Sequence, residues 1–480
     1  MPDIIMSMFK KFRSLFGAQD MTAGSPFSCL LTFAIPLLVG NIAQLLYSTA
    51  DAFVVGRYMG ELGDVALSAI GSAMPPCNFF LVLFMGVGSG VTVMVSQYFG
   101  AKDYDNLGVS IGNSITLIVI LSVFVTTVAS SIAGPILRLV STPNETFEMA
   151  KTYMTIIFLG SIGIGLYNAL SSILRGLGES VFPLIVLLIT VILNILLDIL
   201  FVAGFGMGVA GAAIATIITQ ILSAIICLIK VAVMRDLFKL SIKMLKPVKR
   251  IVRQIILLGG PNAVSMAIMF ASITFVQSLI NSMGYMVVTA ITITQRLDSF
   301  AMLPSQTFQN AAGTFTGQNI GAGEMGRVRQ GTKTVFLMCL VFTSVMVASM
   351  LLFGRHMLGL FTDTESIIDM SMTFVRIATP AYLMMTLTGT LMGVMRGAGD
   401  SIGPMWMTML NNVILRIPLT YLFAYLTRSE ARPNGSPNSI FLSMLCSMFA
   451  GCIITILYYR AGKWRNKAIT EKHDPEPDAA

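Results

Sequence analysis

Three acidic side chains lie within long apolar stretches of this sequence, and they are its best candidates for chemistry. Asp51, Asp198 and Asp298 are each flanked by segments with almost no charge. A charge at the centre of a bilayer costs about 2.5–3.5 kcal/mol on insertion scales, so an ionisable group retained there indicates function. If these stretches cross a membrane, each acid is a candidate for binding an ion or a proton.

Polar neighbours accompany two of these acids at helical spacing. Gln44 and Tyr47 precede Asp51 by seven and four residues, which places all three side chains on one stripe of a helix. Asn194 precedes Asp198 by four residues and shares its helix face. These spacings predict two polar clusters on two different helices.

Counted from the predicted outer ends of their helices, Asp51, Asp198 and Thr216 lie at similar depth. Carboxylates, an amide oxygen and a hydroxyl at one level suit a hard cation such as Na⁺. They suit a proton equally, because two carboxylates close together do not readily ionise at the same time. The alternative is that Asp51 and Asp198 mark helix ends and face water.

The remaining reactive residue types do not indicate catalysis. The two histidines, His356 and His473, are far apart, and none of the six cysteines forms a C-x-x-C pair. No zinc site, disulfide framework or catalytic residue is predicted, so we expect a protein that is not an enzyme and that has no cofactor. Arg296 and Asp298 are two residues apart and do not face each other on a helix, so Asp298 is expected to be structural or to contact another helix.

The elements that carry these residues are predicted to be transmembrane helices. The 480-residue chain is 55% hydrophobic and only 11% charged, whereas soluble domains are about 25% charged. Runs long enough to span a bilayer occur near residues 30–56, 67–98, 109–137, 152–174, 181–203, 209–233, 254–281, 286–316, 333–353, 370–395, 402–426 and 439–459. The composition excludes a soluble enzyme and predicts an all-α polytopic membrane protein with twelve spans.

Basic residues orient these spans. With the N-terminus inside, only six of the 31 Lys and Arg residues fall in outer loops and three within spans, which leaves 22 on the cytoplasmic side. The positive-inside rule therefore places both termini in the cytoplasm of a multi-pass protein of the inner membrane. The net charge of +8 is explained by these loops and needs no nucleic-acid partner.

The predicted segments are a cytoplasmic N-terminal segment (1–28, a short amphipathic helix or a basic tail), a six-helix N-lobe (29–234), a linker (235–253), a six-helix C-lobe (254–460) and a tail (461–480).

The chain also repeats itself. Arg175-Gly-Leu-Gly-Glu-Ser180 recurs as Arg396-Gly-Ala-Gly-Asp-Ser401, and Gln97-Tyr-Phe-Gly-Ala101 recurs as Gln318-Asn-Ile-Gly-Ala322. Both pairs are separated by 221 residues, with six predicted spans between the copies. We therefore expect two parallel lobes related by an axis along the membrane normal, which is an architecture of transporters.

These motifs resemble the multidrug and toxic compound extrusion (MATE) family. The resemblance extends over residues 28–460 and includes Ala34-Ile-Pro36, Tyr47-x-x-x-Asp51-x-x-x-x-Gly-Arg57, Asn194-x-x-x-Asp198 and the repeated Arg-Gly-x-Gly motifs. It implies two six-helix lobes forming a V, alternating access, and export of drugs or other toxic, often cationic, organic compounds against inward flow of Na⁺ or H⁺. It implies small organic substrates, membrane lipid as the surroundings, and function as a monomer.

The resemblance also implies roles for individual residues. Asp51, Asn194, Asp198 and Thr216 would form the cation or proton coupling site, with Tyr47, Gln44 and Asn168 in the supporting network. Pro36 corresponds to the proline at which the family's first helix bends. Another branch of the family carries its coupling acids on spans 7 and 10, where this chain has none within the spans. The chain is thus similar to the N-lobe-coupled, DNA-damage-inducible-like branch, and Asp298, Arg296 and Arg416 are its possible C-lobe contributors.

One alternative comes from the same superfamily. Flippases for lipid-linked oligosaccharides line their cavity with cationic residues that meet pyrophosphate, and Arg296, Arg376 and Arg416 lie in C-lobe spans. A membrane receptor or enzyme would need a His or acid cluster at the membrane face, and the sequence shows none. Export of organic compounds is therefore the leading hypothesis, with the flippase as its alternative.

Overall fold

The computed structural model describes residues 17–234, 241–430 and 432–470. The regular elements of this described part are helices, joined by short loops. The amphipathic helix predicted within residues 1–28 falls mainly on residues 1–16, which lie outside the described residues. The same holds for residues 235–240 of the predicted linker and 471–480 of the predicted tail.

The helices of the first half have the following bounds: α1 Pro26–Tyr58, α2 Gly63–Gly100, α3 Tyr104–Leu139, α4 Asn144–Leu159, α5 Ser161–Gly176, α6 Val181–Asp198 and α7 Gly208–Val233. Those of the second half are α8 Lys249–Ser282, α9 Tyr285–Gly321, α10 Met325–Gly359, α11 Glu365–Gly397, α12 Ile402–Met409, α13 Arg416–Leu426 and α14 Asn438–Ala461. Two π-helical segments, Ile199–Gly204 and Leu410–Leu415, continue α6 and join α12 to α13.

Each of the twelve predicted hydrophobic runs falls on helix. Among the described residues, ten helices are long and apolar enough to cross a membrane, and α4 with α5 forms an eleventh, bent span. The twelfth run is α9, whose 37 residues include Arg296 and Asp298 and are less apolar than the others. The described residues therefore form an all-helical membrane protein, as the sequence predicts.

The fourth run differs from expectation because it is two helices that meet at 51° at Gly160. A Cβ atom at Gly160 would lie 2.2 Å from Cγ1 of Ile217 on α7, so only glycine allows this approach. Beside the bend, the Ser161 hydroxyl lies 2.9 Å from the Thr126 hydroxyl and donates to the Ser122 carbonyl. Sequence periodicity alone does not reveal the bend, since both halves are apolar.

Contacts divide the chain into two compact units. One contains the described residues up to Ala23 and Thr32–Ala263, and the other contains Gly24–Leu31 and the described residues from Val264 onwards. Each unit has its own apolar core. In the first, Phe80 packs edge-on against Phe158 with ring centroids 5.3 Å apart. In the second, Phe374 stacks on Phe441 at 4.6 Å.

The repeated Arg-Gly-x-Gly motifs form the same turn in both units. Gly178 and Gly399 adopt positive φ angles of 80° and 97°, which favour glycine. The next residue in each unit closes the helix end: the Glu179 amide donates to the Leu174 carbonyl, and the corresponding amide of the second unit does the same. The repeat inferred from the sequence is therefore also a repeat of backbone conformation.

Candidate functional site

Asn194 bridges the first two intramembrane acids. With its amide nitrogen turned toward them, it donates to Asp51 Oδ1 at 2.7 Å and to Asp198 Oδ2 at 3.1 Å. This orientation follows from chemistry, because only the nitrogen of an amide side chain can donate to carboxylates. Helix α6 supplies Asn194 and Asp198 one turn apart, and α1 supplies Asp51. The two helical clusters predicted from the sequence thus meet in one cluster.

A hydroxyl pair extends this cluster to α7. The Tyr47 hydroxyl donates to Thr216 Oγ1 at 3.4 Å, and Thr216 Oγ1 itself donates to the Ala212 carbonyl at 3.0 Å. Tyr47 also interacts electrostatically with Asp51, which follows it by one helical turn. Three helices, α1, α6 and α7, therefore contribute oxygen-bearing side chains to the same region of the first unit.

One buried oxygen of this cluster accepts no hydrogen bond within the part of the chain that the structure describes. Asp198 is completely buried, and its Oδ1 accepts no hydrogen bond from the described residues. Asp198 is also the last residue of α6 before the π-helical segment Ile199–Gly204. Such segments are frequent at functional sites because they displace side chains from regular helical positions. A buried carboxylate oxygen without a donor is an acceptor that a proton or a cation can satisfy.

Tyr153 belongs to the same region, although the sequence did not single it out. It lies on α4, is buried, and interacts electrostatically with Asp51, Tyr47 and Asp198. It precedes Gly160, where α4 and α5 meet at 51°, by seven residues. In the sequence, Tyr153 is only a tyrosine within an apolar run. That pattern alone does not show that it lies near the acids of other helices.

The remaining residues predicted for the first unit lie less directly at the cluster. The Asn168 amide donates to the Ile164 carbonyl of its own helix at 2.9 Å. Gln44 is exposed on α1. Pro36 lies inside α1, where its missing N–H interrupts the helical hydrogen bonds. The structure thus brings together Asp51, Asn194, Asp198, Thr216 and Tyr47 as hydrogen-bonded or interacting groups.

A second buried polar group lies in the second unit. Tyr382 donates its hydroxyl hydrogen to Oδ1 of Asp298, which is 8% exposed. Asp298 also interacts electrostatically with Arg416, whose Nε is buried and makes no hydrogen bond with the described residues. Asp298 therefore contacts another helix, as the sequence predicted. Arg296 and Arg376, in contrast, have exposed side chains.

This fold defines a class: a multi-pass, all-helical membrane protein made of two helical units with repeated turns. Comparison with known proteins places it more narrowly. The MatE family model matches residues 36–200 and 261–422, more than half of the chain. The chain therefore belongs to the MatE family, and it is a membrane transport protein of that family.

Individual relatives agree with this assignment. The chain is 29% identical over 459 residues to the probable multidrug resistance protein YpnP of Bacillus subtilis, covering 95% of this chain and 100% of YpnP. It is 27% identical over 399 residues to the multidrug export protein MepA of Staphylococcus aureus, covering 82% and 87% of the two chains.

Solved structures share the fold. A MATE protein crystallised in complex with MaD3S superposes with a TM-score of 0.85 at 22% identity, over 92% of this chain and 97% of that one. An outward-facing multidrug resistance MATE family transporter superposes with a TM-score of 0.84 at 22% identity, over 93% and 97%. At this identity the likeness establishes the fold alone.

Proposed function

We propose that this protein is a secondary active antiporter that exports drugs or other toxic, often cationic, organic compounds in exchange for H⁺ or Na⁺. The proposal includes alternating access, an inner-membrane location with both termini in the cytoplasm, and function as a monomer. Relatives named for multidrug resistance and multidrug export support the substrate class. The coupling mechanism is argued from the acid cluster of the first unit.

The observation that carries the proposal is the bridge from Asn194 to Asp51 and Asp198. Two carboxylates within reach of one amide repel each other when both are ionised, and a membrane interior provides little water to screen them. A proton or a monovalent cation bound there offsets one negative charge. Neutral oxygen ligands, such as the Asn194 carbonyl after an amide rotation and the Thr216 hydroxyl, would hold Na⁺ without adding charge.

Ion binding can drive export only if it favours one conformation over another. Loading the cluster changes its net charge by one unit, and it draws α1, α6 and α7 toward a common ligand. Release reverses both effects. The ion is therefore proposed to bias the equilibrium between inward-open and outward-open states. The organic substrate is carried outward by the same conformational change that carries the ion inward.

The flippase alternative is less well supported by the second unit. A site for pyrophosphate requires several cations free to converge on one ligand. Here the charge of Arg416 is offset by Asp298, which leaves two of the three arginines, Arg296 and Arg376, as exposed cations of these spans, whereas the relatives are named for drug resistance and export. Drug export is therefore the better-supported function.

The test is transport in proteoliposomes with a fluorescent cationic drug. A pH gradient and a Na⁺ gradient are imposed separately, each with a matched sample lacking the gradient. We expect one of the two gradients to accelerate drug movement against the ion flow. Equal drug movement with and without both gradients would contradict ion-coupled antiport.

A further inference from the structure

An apolar groove runs along the outside of the second unit, between α12 and α14. It encloses about 360 Å³ and is lined by side chains that include Trp406, Leu410, Ile414 and Ile454. Trp406 is 56% exposed and Ile414 49% exposed, so the groove is open along its length rather than closed over by protein. On a membrane-spanning unit, an open groove with such a lining is complementary to a lipid acyl chain.

A polar contact closes one end of this groove. Tyr458 is part of the lining, and its hydroxyl donates to Asp400 Oδ2 at 2.7 Å. The other oxygen, Asp400 Oδ1, accepts from the backbone amide of Gly403 at 3.1 Å. Both oxygens of the acid at this end are therefore engaged by donors. The groove thus changes from apolar to polar at the level of Tyr458.

Beyond this end the chain presents a cluster of cations around an anchored segment. Trp464 is buried, stacks on Tyr459 with ring centroids 5.0 Å apart, and donates its indole hydrogen to the Tyr459 carbonyl. This anchors the short 3-10 helix Lys463–Asn466 against the end of α14. Four basic side chains on and around this segment are exposed: Arg460 at the end of α14, Lys463 and Arg465 on the 3-10 helix, and Lys467 directly after it.

The cluster lies at the end of the groove itself. Ile454 and Tyr458 are four residues apart and form a stripe along one side of α14, and Gly462, four residues further on, ends the helix in a left-handed conformation. A Cβ atom built on Gly462 would lie 3.7 Å from the guanidinium carbon of Arg465. The Arg465 charge is therefore adjacent to the end of the stripe that lines the groove. An elongated apolar surface that ends in a cationic cluster matches a lipid with an anionic headgroup.

We propose that this groove and the adjacent basic cluster form a binding site for an anionic phospholipid. One acyl chain lies between α12 and α14, and the phosphate contacts Arg465 and its basic neighbours. The site is independent of ion coupling and of drug export. A failed export assay would therefore leave it standing, and its own failure would leave the antiporter proposal standing.

The protein contains its own probe for this site. Its two tryptophans are Trp406, in the groove, and Trp464, beside the basic cluster. In a Trp464→Phe background, where the phenyl ring can keep the stacking on Tyr459, Trp406 is the only fluorescent indole. The variant is reconstituted into bilayers that contain either brominated phosphatidylglycerol or brominated phosphatidylcholine at the same fraction, because bromine on an acyl chain quenches a contacting indole.

From the quenching of Trp406 we expect an apparent binding constant for phosphatidylglycerol about five-fold or more above that for phosphatidylcholine. A factor of this size is the effect of one cation near an anionic surface. Replacing the cluster by glutamine (R460Q, K463Q, R465Q, K467Q) should abolish the preference. A matched control (K243Q, K246Q, K249Q, K333Q) removes the same charge from exposed lysines elsewhere and should retain it. Equal quenching by the two lipids before any charge is removed would overturn the proposal, as would loss of the preference in the control.

Discussion

Asn194 connects Asp51 to Asp198: one amide nitrogen lies 2.7 Å from Asp51 Oδ1 and 3.1 Å from Asp198 Oδ2. The two acids come from α1 and α6, so this amide couples two helices through two charges. A change in the charge of either acid alters the hydrogen bond that the amide makes to the other. This relationship is the structural basis of the coupling proposed above.

The first prediction concerns the bridge. Asn194→Leu removes the shared donor while keeping a side chain of similar size, and it leaves the two carboxylates without a donor between them. We expect gradient-driven export to fall by at least about ten-fold, because lost hydrogen bonds to charged groups cost about 1.5–3 kcal/mol each. Drug efflux rates in proteoliposomes measure the effect.

The matched control for the bridge is Asn168→Leu. The Asn168 amide donates to the Ile164 carbonyl of its own helix rather than to an acid. Its loss should reduce export by less than about three-fold, since such local bonds contribute about 0.5–1.5 kcal/mol. Equal losses in the two variants would show that the bridge has no special role.

The second prediction concerns helix packing in the second unit. A Cβ atom at Gly397 would lie 2.2 Å from the carbonyl oxygen of Gly313 on α9. Because this oxygen belongs to the helix backbone, it cannot easily move away from the added methyl group. Gly397→Ala should therefore destabilise the protein by about 1–3 kcal/mol. Thermal unfolding in detergent measures the change.

Gly326→Ala is the control for this substitution. A Cβ atom at Gly326 meets nothing within 4 Å, and the residue lies in the first turn of α10. Alanine there should leave stability unchanged or raise it by up to about 1 kcal/mol. A Gly397→Ala protein as stable as the Gly326→Ala protein would refute the close helix contact.

The third prediction is a pH dependence of stability that originates at Glu179, in the loop between α5 and α6. Burial raises the pKa of Glu179 from 4.5 to about 7, against the opposing effects of the Phe182 and Val181 amides and the Lys230 charge. Its Oε1 accepts from both amides at 3.0 Å, and its Oε2 is buried and accepts no hydrogen bond from the described residues.

The folded state therefore holds a proton at Glu179 that the unfolded state has lost between about pH 4.5 and 7. Stability supplied by this group is present below that range and falls as pH rises through it. Glu179→Gln should remove this decline in thermal midpoints measured from pH 5 to 8. Glu148→Gln, at an exposed position, should keep it. A wild-type midpoint that rises over this range would contradict the assignment.

The fourth prediction is topological. In a background without native cysteines, Lys243→Cys is expected to resist an impermeant thiol reagent added to intact cells, because residues 235–253 are proposed to be cytoplasmic. Glu145→Cys, at the exposed start of α4, should be labelled. Labelling of the Lys243→Cys protein from outside would reverse the proposed orientation.

Much of this architecture follows from the sequence because the membrane restricts it. Backbone groups in lipid must be bonded within a helix, so long apolar runs predict helices directly. The same restriction makes Asp51 and Asp198 conspicuous, and the four-residue spacing of Asn194 from Asp198 indicates a shared face. The repeated Arg-Gly-x-Gly motifs likewise predicted two repeated halves, and the structure shows the same turn at both motifs.

Other features depend on contacts that no local pattern specifies. At the Gly160 bend, Ile217 of a different helix approaches so closely that a Cβ atom would not fit, and Tyr153 lies near the acids of two other helices. The partner of Asp298 is Tyr382, 84 residues away in sequence, and only the packing of α9 against α11 brings them together. The π-helical segments beside Asp198 and Arg416 also leave no recognisable mark in composition.

The most direct test of ion coupling replaces each acid of the cluster in turn. Asp51→Asn and Asp198→Asn keep the size and hydrogen-bonding capacity of the side chains but remove the charge that an ion would balance. Asp298→Asn is the control, because it removes a buried acid from the second unit. Export of a fluorescent cationic drug is measured in proteoliposomes under an imposed pH or Na⁺ gradient. We expect both Asp51→Asn and Asp198→Asn to lose gradient-driven export while Asp298→Asn has a milder effect. Wild-type export by both Asp51→Asn and Asp198→Asn would contradict coupling through the first unit.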